Sequence, residues 1–130
     1  MQARARFKVE SWDESPVLEP GGGAKLTRAR VSGSYTGDIE GESRSESVMW
    51  YATDGSATYA SFEHVTGRIG DRSGSFVLHG TGSYDGTEAR WEIEIVAGSG
   101  TGGLEGIAGE GRAVAPPGSE ADVELDIRFG

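Results

Sequence analysis

Asp54-Gly55 and Asp85-Gly86 each sit between stretches of alternating apolar and polar residues, and no feature constrains this chain more. An Asp-Gly pair readily takes the positive φ that both central positions of a two-residue hairpin turn require. Flanked by period-two alternation, it predicts tight antiparallel hairpins. Between the two pairs, Gly70-Asp71-Arg72-Ser73-Gly74 offers a longer reversal built from turn-forming residues. Met49 to Ala97 is therefore expected to run as four antiparallel strands.

The rest of the chain continues in the same idiom. Arg4 to Trp12 alternates, with Phe7 and Val9 on one side and Arg6, Lys8 and Glu10 on the other. Asp13 to Gly23, which holds Pro16, Pro20 and three successive glycines, reads as a loop. Lys25 to Thr36 alternates again, grouping Ala29, Val31, Gly33 and Tyr35. Gly37 to Gly41 turns the chain into a strand from Glu42 to Ala52. Gly98 to Gly103 reads as a flexible connector, Leu104 to Val114 as a glycine-punctuated strand, and Val123, Leu125, Ile127 and Phe129 as the inner face of a closing strand. A 3.6-residue apolar period never persists long enough for a helix.

The expectation is an all-β chain: one antiparallel up-and-down β-barrel of about eight strands, spanning residues 1–130 as a single domain. Closure removes the exposed strand edges that an open sheet would leave. A barrel of this strand number either fills its interior with side chains or holds one small ligand.

Charge narrows the partners. Twelve Lys and Arg stand against 21 Asp and Glu, a formal charge of −9, which argues against nucleic acid. No window approaches the roughly 20 apolar residues of a membrane-spanning helix, and the N-terminus enters a strand pattern without a signal-like core. A cytoplasmic location is the expectation. With no cysteine in the chain, thiol and disulfide chemistry are excluded. His64 and His79, the two histidines, fall on a solvated face without metal-ligand spacing, so neither a metal nor a cofactor is expected. Gly98-x-Gly100-x-x-Gly103 matches a dinucleotide fingerprint in form, but the residues after it cannot build the helix that would hold a pyrophosphate.

Two-residue turns at the Asp-Gly pairs, and a four-residue loop from Asp71 to Gly74, fix a trial register. Trp50 then faces Tyr59, Val48 faces Ser61, Glu46 faces Glu63, Ile69 faces Phe76, and Leu78 faces Ile93. One apolar face results, carrying Trp50, Tyr59, Val65, Ile69, Phe76, Leu78, Trp91, Ile93 and Ile95. Two acids, Glu46 and Glu63, interrupt it side by side, near the small residues Gly80 and Gly82. Adjacent carboxylates in an apolar cavity would share a proton, leaving one as acid and one as base. The same pair would be purely structural if it sat at the barrel mouth, solvated or bridged to Arg28 or Arg44.

The runs G-D-I-E-G-E, E-S-V-M-W-Y-x-x-D-G, F-E-H-V-T-G-R-I-G-D-R-S-G-S-F-V-L and S-G-T-G-G-L-E-G-I-A-G-E-G resemble a bacterial family of small domains of unknown function, number three-two-two-four in that series. The likeness covers Leu26 to Gly111 and the L-D-I-R-F ending. It implies an eight-stranded barrel of the allene-oxide-cyclase type, lipocalin-like in shape, with Glu46 and Glu63 where the family also carries acids. Related barrels include cofactor-free cyclases of oxylipin and polyketide pathways.

Together these readings predict a cofactor-free isomerase or cyclase acting on an apolar, polyketide- or lipid-like molecule in the lumen. Glu46 and Glu63 would be catalytic. Tyr35, Val48, Trp50, Tyr59, Val65, Phe76, Leu78, Trp91 and Ile93 would enclose the ligand. The alternative is a non-catalytic lipocalin-like carrier using the same lumen. Self-association through an outer sheet face, most simply as a homodimer, is expected in either case.

Overall fold

In the computed structural model, which describes residues 1–118 and 120–130, alternation becomes strand almost throughout. The strands are β1 (Gln2–Gly21), β2 (Ala24–Gly37), β3 (Ile39–Tyr51), β4 (Ala57–Ile69), β5 (Arg72–Tyr84), β6 (Ala89–Ile95), β7 (Thr101–Gly102), β8 (Ile107–Ala115) and β9 (Glu120–Phe129). Among the described residues there is no helix, hence none long and apolar enough to cross a membrane. β1 to β6 pair antiparallel in chain order, β6 pairs with β8, β8 with β9 and β9 with β1, so eight strands close into a ring. The short β7 lies beside β5 beyond the end of β6, pairing Gly74 with Gly102 and Ser75 with Thr101. The GxGxxG segment thus builds a piece of wall, not a phosphate cradle.

Asp13 to Gly23 is not a loop. Its residues prolong β1 against β2, from Trp12 opposite Val31 to Gly21 opposite Ala24. Pro16 and Pro20 are tolerated because β9 leaves β1 at Lys8, so the far half of β1 is an edge on that side. A proline there removes no ladder hydrogen bond from a second neighbour. Register shifts at Val9/Ser11, Pro16/Leu18 and Leu18/Gly21 absorb the remaining misfit.

All three central hairpins differ from the trial register. Tyr51 pairs with Ala57, so β3 and β4 are joined by five residues, 52–56, where a two-residue turn was expected. Asp54 spends its carboxylate on that loop, accepting from the Ser56 amide (2.9 Å) and hydroxyl (2.6 Å). Ile69 pairs with Arg72, leaving a two-residue turn in place of four. Tyr84 pairs with Ala89, leaving four residues in place of two, where Asp85 accepts from the Thr87 and Glu88 amides. The last two changes are even in number and keep every side chain on its expected face. The first is odd, and a one-residue slip turns a whole strand over.

The interior is unequal along the ring axis. At the end where turns 37–38 and 70–71 emerge, Ile39, Phe76, Leu78, Leu104, Ile107, Leu125 and Ile127 are essentially inaccessible. Leu104 belongs to the segment between β7 and β8, whose amides bond back to Ser73 and Thr101, and it plugs that end. A second, smaller cluster of Ala29, Val31, Met49 and Tyr59 lies toward the opposite end, with Trp91 packing against both.

Candidate functional site

Above the packed floor the lumen opens into a cavity of about 380 Å3, reaching the end where loops 85–88 and 116–118 emerge. Side-chain size explains the space. Ser45 and Ser47 of β3, Ser61 of β4 and Gly80 of β5 supply small groups on one wall. Phe7, Val9, Trp91, Ile93, Ala113 and Val123 form the apolar wall across the ring. Phe7 leans on Tyr35 with ring centroids 5.0 Å apart, and Tyr59 on Trp91 at 4.9 Å. Tyr59 is anchored by donating its hydroxyl to the Ser83 carbonyl at 2.8 Å, and burial pushes that phenol up to about 12.

Glu63 is the acid in the depth of this lumen. It occupies an inward position of β4, between Ser45 on β3 and Leu78 on β5. Tyr35 Oη donates to Glu63 Oε2 at 2.6 Å, a short charge-assisted geometry. Burial pushes the Glu63 carboxyl above its ordinary 4.5, against the opposing pull of the Tyr35 hydroxyl. Ser43 adds to that pull in sense, although its buried Oγ stands outside hydrogen-bond geometry with any partner. Burial and the neighbouring Glu63 carboxyl drive the Tyr35 phenol well above its usual value. Both groups of the pair therefore hold their protons more tightly than they would in water, the carboxyl chiefly because it is buried and the phenol because it is buried beside that carboxyl.

A stability consequence follows with a definite sign. Because the folded-state value of Glu63 is raised, folding favours its protonated form; that contribution is present below about pH 4.5 and fades as pH rises through the folded value. Glu63→Gln, which keeps an acceptor for Tyr35 but cannot ionise, should gain on the native chain in thermal midpoint as pH climbs from 4.5 through neutrality. A midpoint difference that stays constant over that range would show that Glu63 ionises as freely folded as unfolded.

The paired-acid expectation is overturned. The flip of β3 turns Glu46 outward, where its carboxylate takes Arg30 Nε at 2.7 Å and Arg28 Nε at 3.2 Å. Desolvation works against these contacts, but the hydrogen bonds and charges of Arg28 and Arg30 together outweigh it and hold Glu46 below the usual carboxylate range. Glu46 faces Phe62, not Glu63. Val48 and Trp50 go outward with it, half exposed at 50% and 38%, beside Phe62 at 58%. Val65 and Phe76 do point inward, but into the floor beneath the cavity, with no accessible surface. Of the expected enclosing residues, Tyr35, Tyr59, Leu78, Trp91 and Ile93 line the space.

The serine stripe Ser43, Ser45 and Ser47, followed by Met49, was missed. A readable signal existed: Glu42, Arg44 and Glu46 alternate with these serines, and charged residues mark the solvent face more reliably than a flanking tryptophan. Trp12 was missed because the shift after Val9 changes the phase of β1, and Glu14 because its segment reads as a loop. Trp12 lines the mouth of the cavity. Glu14 accepts from Trp12 Nε1 (2.9 Å), Thr27 Oγ1 (2.6 Å) and Tyr51 Oη (2.8 Å). Those donors outweigh desolvation and keep Glu14 ionised below its usual value.

Comparison with known proteins agrees with this architecture. Residues 3–127 match the model of the family described as "Protein of unknown function (DUF3224)", and the chain belongs to that family. Among solved structures, it is similar to a protein of unknown function of the DUF3224 family from Shewanella oneidensis MR-1. That match has 27% identity and a TM-score of 0.79, covering 100% of this chain and 97% of the other. Comparison with the curated proteins found no match.

Proposed function

We propose that this member of the DUF3224 family binds a compact, largely apolar small molecule in its lumen, with Glu63 and Tyr35 as the polar anchor at the bottom. The observation that supports this most is the unequal interior. A chain that needed its lumen only for stability would gain by filling it, since interiors otherwise pack to crystal-like density. Here three inward serines and a glycine keep open about 380 Å3, a space in the range of small-molecule sites. Aromatic rings on the walls supply contact area, and the serine hydroxyls supply hydrogen bonds that orient a ligand.

Calorimetric titration with 1-naphthalenemethanol, a neutral bicyclic alcohol, tests the reading. Saturable one-to-one binding with a dissociation constant in the micromolar range, about −8 kcal/mol, is expected. Absence of saturable binding by this probe at millimolar concentration would overturn it. Native mass spectrometry of protein purified from its own host would identify the natural ligand as co-purified mass.

A second reading, an isomerase moving a proton with a single carboxyl, is favoured by the Tyr35–Glu63 hydrogen bond. Such a reaction needs one group that returns the proton it takes, not the acid–base dyad excluded by the outward Glu46. It predicts that the protein accelerates exchange of the α-hydrogens of a bound bicyclic ketone, 2-decalone, in deuterated water. Glu63→Gln should abolish that exchange while sparing binding; equal exchange by the variant would remove Glu63 from the chemistry.

A further inference from the structure

Resting on the lumenal-binding reading, we infer that the site selects its ligand by charge: it takes an ammonium group carried on an apolar body, with the Glu63 carboxylate as counter-ion. Among the described residues that line the cavity, the acids are Glu63 and Glu120, and there is no arginine, lysine or histidine. Arginines that adjoin lining residues in the chain pair elsewhere: Arg30 with Glu46, Arg90 with Glu88 and Arg112 with Glu124.

Each class of ligand meets this arrangement differently. A carboxylate would bring a second anion beside Glu63 with no cation to compensate either, a costly burial. A neutral alcohol or ketone can hydrogen-bond but leaves Glu63 without a counter-charge. A protonated amine supplies the missing charge. Tyr35 already occupies Glu63 Oε2, so Oε1 is the oxygen open to an N–H donor. Ser45, opposite Glu63 on β3, and Ser61, one inward position along β4, offer further acceptors for the remaining ammonium hydrogens. The aromatic faces of Phe7, Tyr59 and Trp91 suit a cation as well, through their negative ring quadrupoles.

The burial that disfavours the charged form of Glu63 in the empty lumen is relieved once a cation sits beside it. The approach is favourable too. The chain carries a net charge of −9, and Glu120 stands at the mouth of the cavity, so diffusing cations are drawn toward the opening and anions are turned away.

Three probes that share one ring system separate the possibilities: 1-naphthalenemethylamine, 1-naphthalenemethanol and 1-naphthoate, titrated calorimetrically near pH 7 into the intact protein. The amine should bind at least tenfold tighter than the alcohol, and naphthoate at least tenfold weaker than the alcohol. Glu63→Gln should bring the amine to within threefold of the alcohol, both measured on the variant; Glu63→Leu serves as a second uncharged variant if the first does not fold. Equal affinity of amine and alcohol in the native protein would overturn charge selection while leaving lumenal binding intact. So would an amine preference that survives in both variants. Failure of all three probes to bind would overturn both readings together.

Discussion

Gly67→Ala should destabilise the protein by about 3 kcal/mol and lower its thermal midpoint by roughly 10 °C, an effect of the size that overpacked backbone produces. Gly41, Gly67, Gly74 and Gly102 stand in register across β3, β4, β5 and β7. In this row the backbones approach so closely that a Cβ on Gly67 would run into the Glu40 carbonyl oxygen and meet Gly41 Cα at 2.7 Å. Both obstacles are main chain and cannot rotate away. The φ of Gly67 is ordinary, so the cost is steric and not torsional. Gly80→Ala is the matched control, because its Cβ would find Ser61 Oγ and Trp91 Cδ1 at 3.5 Å, normal contact distances. Denaturant unfolding should separate the two variants clearly; equal midpoints would mean that the glycine row is not closely packed.

Gly80→Leu should reduce the affinity for 1-naphthalenemethanol by about 100-fold, roughly 2.7 kcal/mol, while leaving the fold intact. Gly80 is an inward residue that lines the cavity, and space lies beyond its Cβ position. A leucine there fills the volume the ligand would take, and filling a void commonly raises stability by about 1 kcal/mol. Thermal denaturation and calorimetry on one preparation decide the matter. Undiminished binding with an unchanged melting curve would move the ligand out of the lumen.

Much of this architecture was legible in the chain. Alternation in Arg4–Trp12, Lys25–Thr36 and Val123–Phe129 assigned inward residues that the structure keeps: Phe7, Ala29, Val31, Tyr35, Val123, Leu125 and Ile127. Tyr59, Glu63, Val65, Phe76, Leu78, Trp91 and Ile93 also point inward, although every hairpin length assumed for them was wrong. Two of those errors were even, and a period of two forgives an even error. The third was odd, and it exchanged Glu46, Val48 and Trp50 for Ser45, Ser47 and Met49. What misled was the Asp54-Gly55 pair. Its strong preference for a two-residue turn was outweighed by the Asp54 side chain, which accepts the Ser56 amide and steadies a wider loop. Turn propensity is local, whereas register is also set by which face of each strand a closed ring must bury.

Period-two alternation and turn chemistry are short-range properties, and they suffice for an all-β chain, its antiparallel hairpins and an inward Glu63, although they also set Glu46 beside it. That Glu63 stands without a carboxylate partner, hydrogen-bonded to Tyr35, 28 residues earlier in the chain, follows only from the assembled ring. The tertiary structure alone decided that one half of the lumen is packed and the other open. Both depend on how strands meet around a closed ring, where loop parity, bulges and the volumes of facing side chains act together across distances that no local pattern encodes.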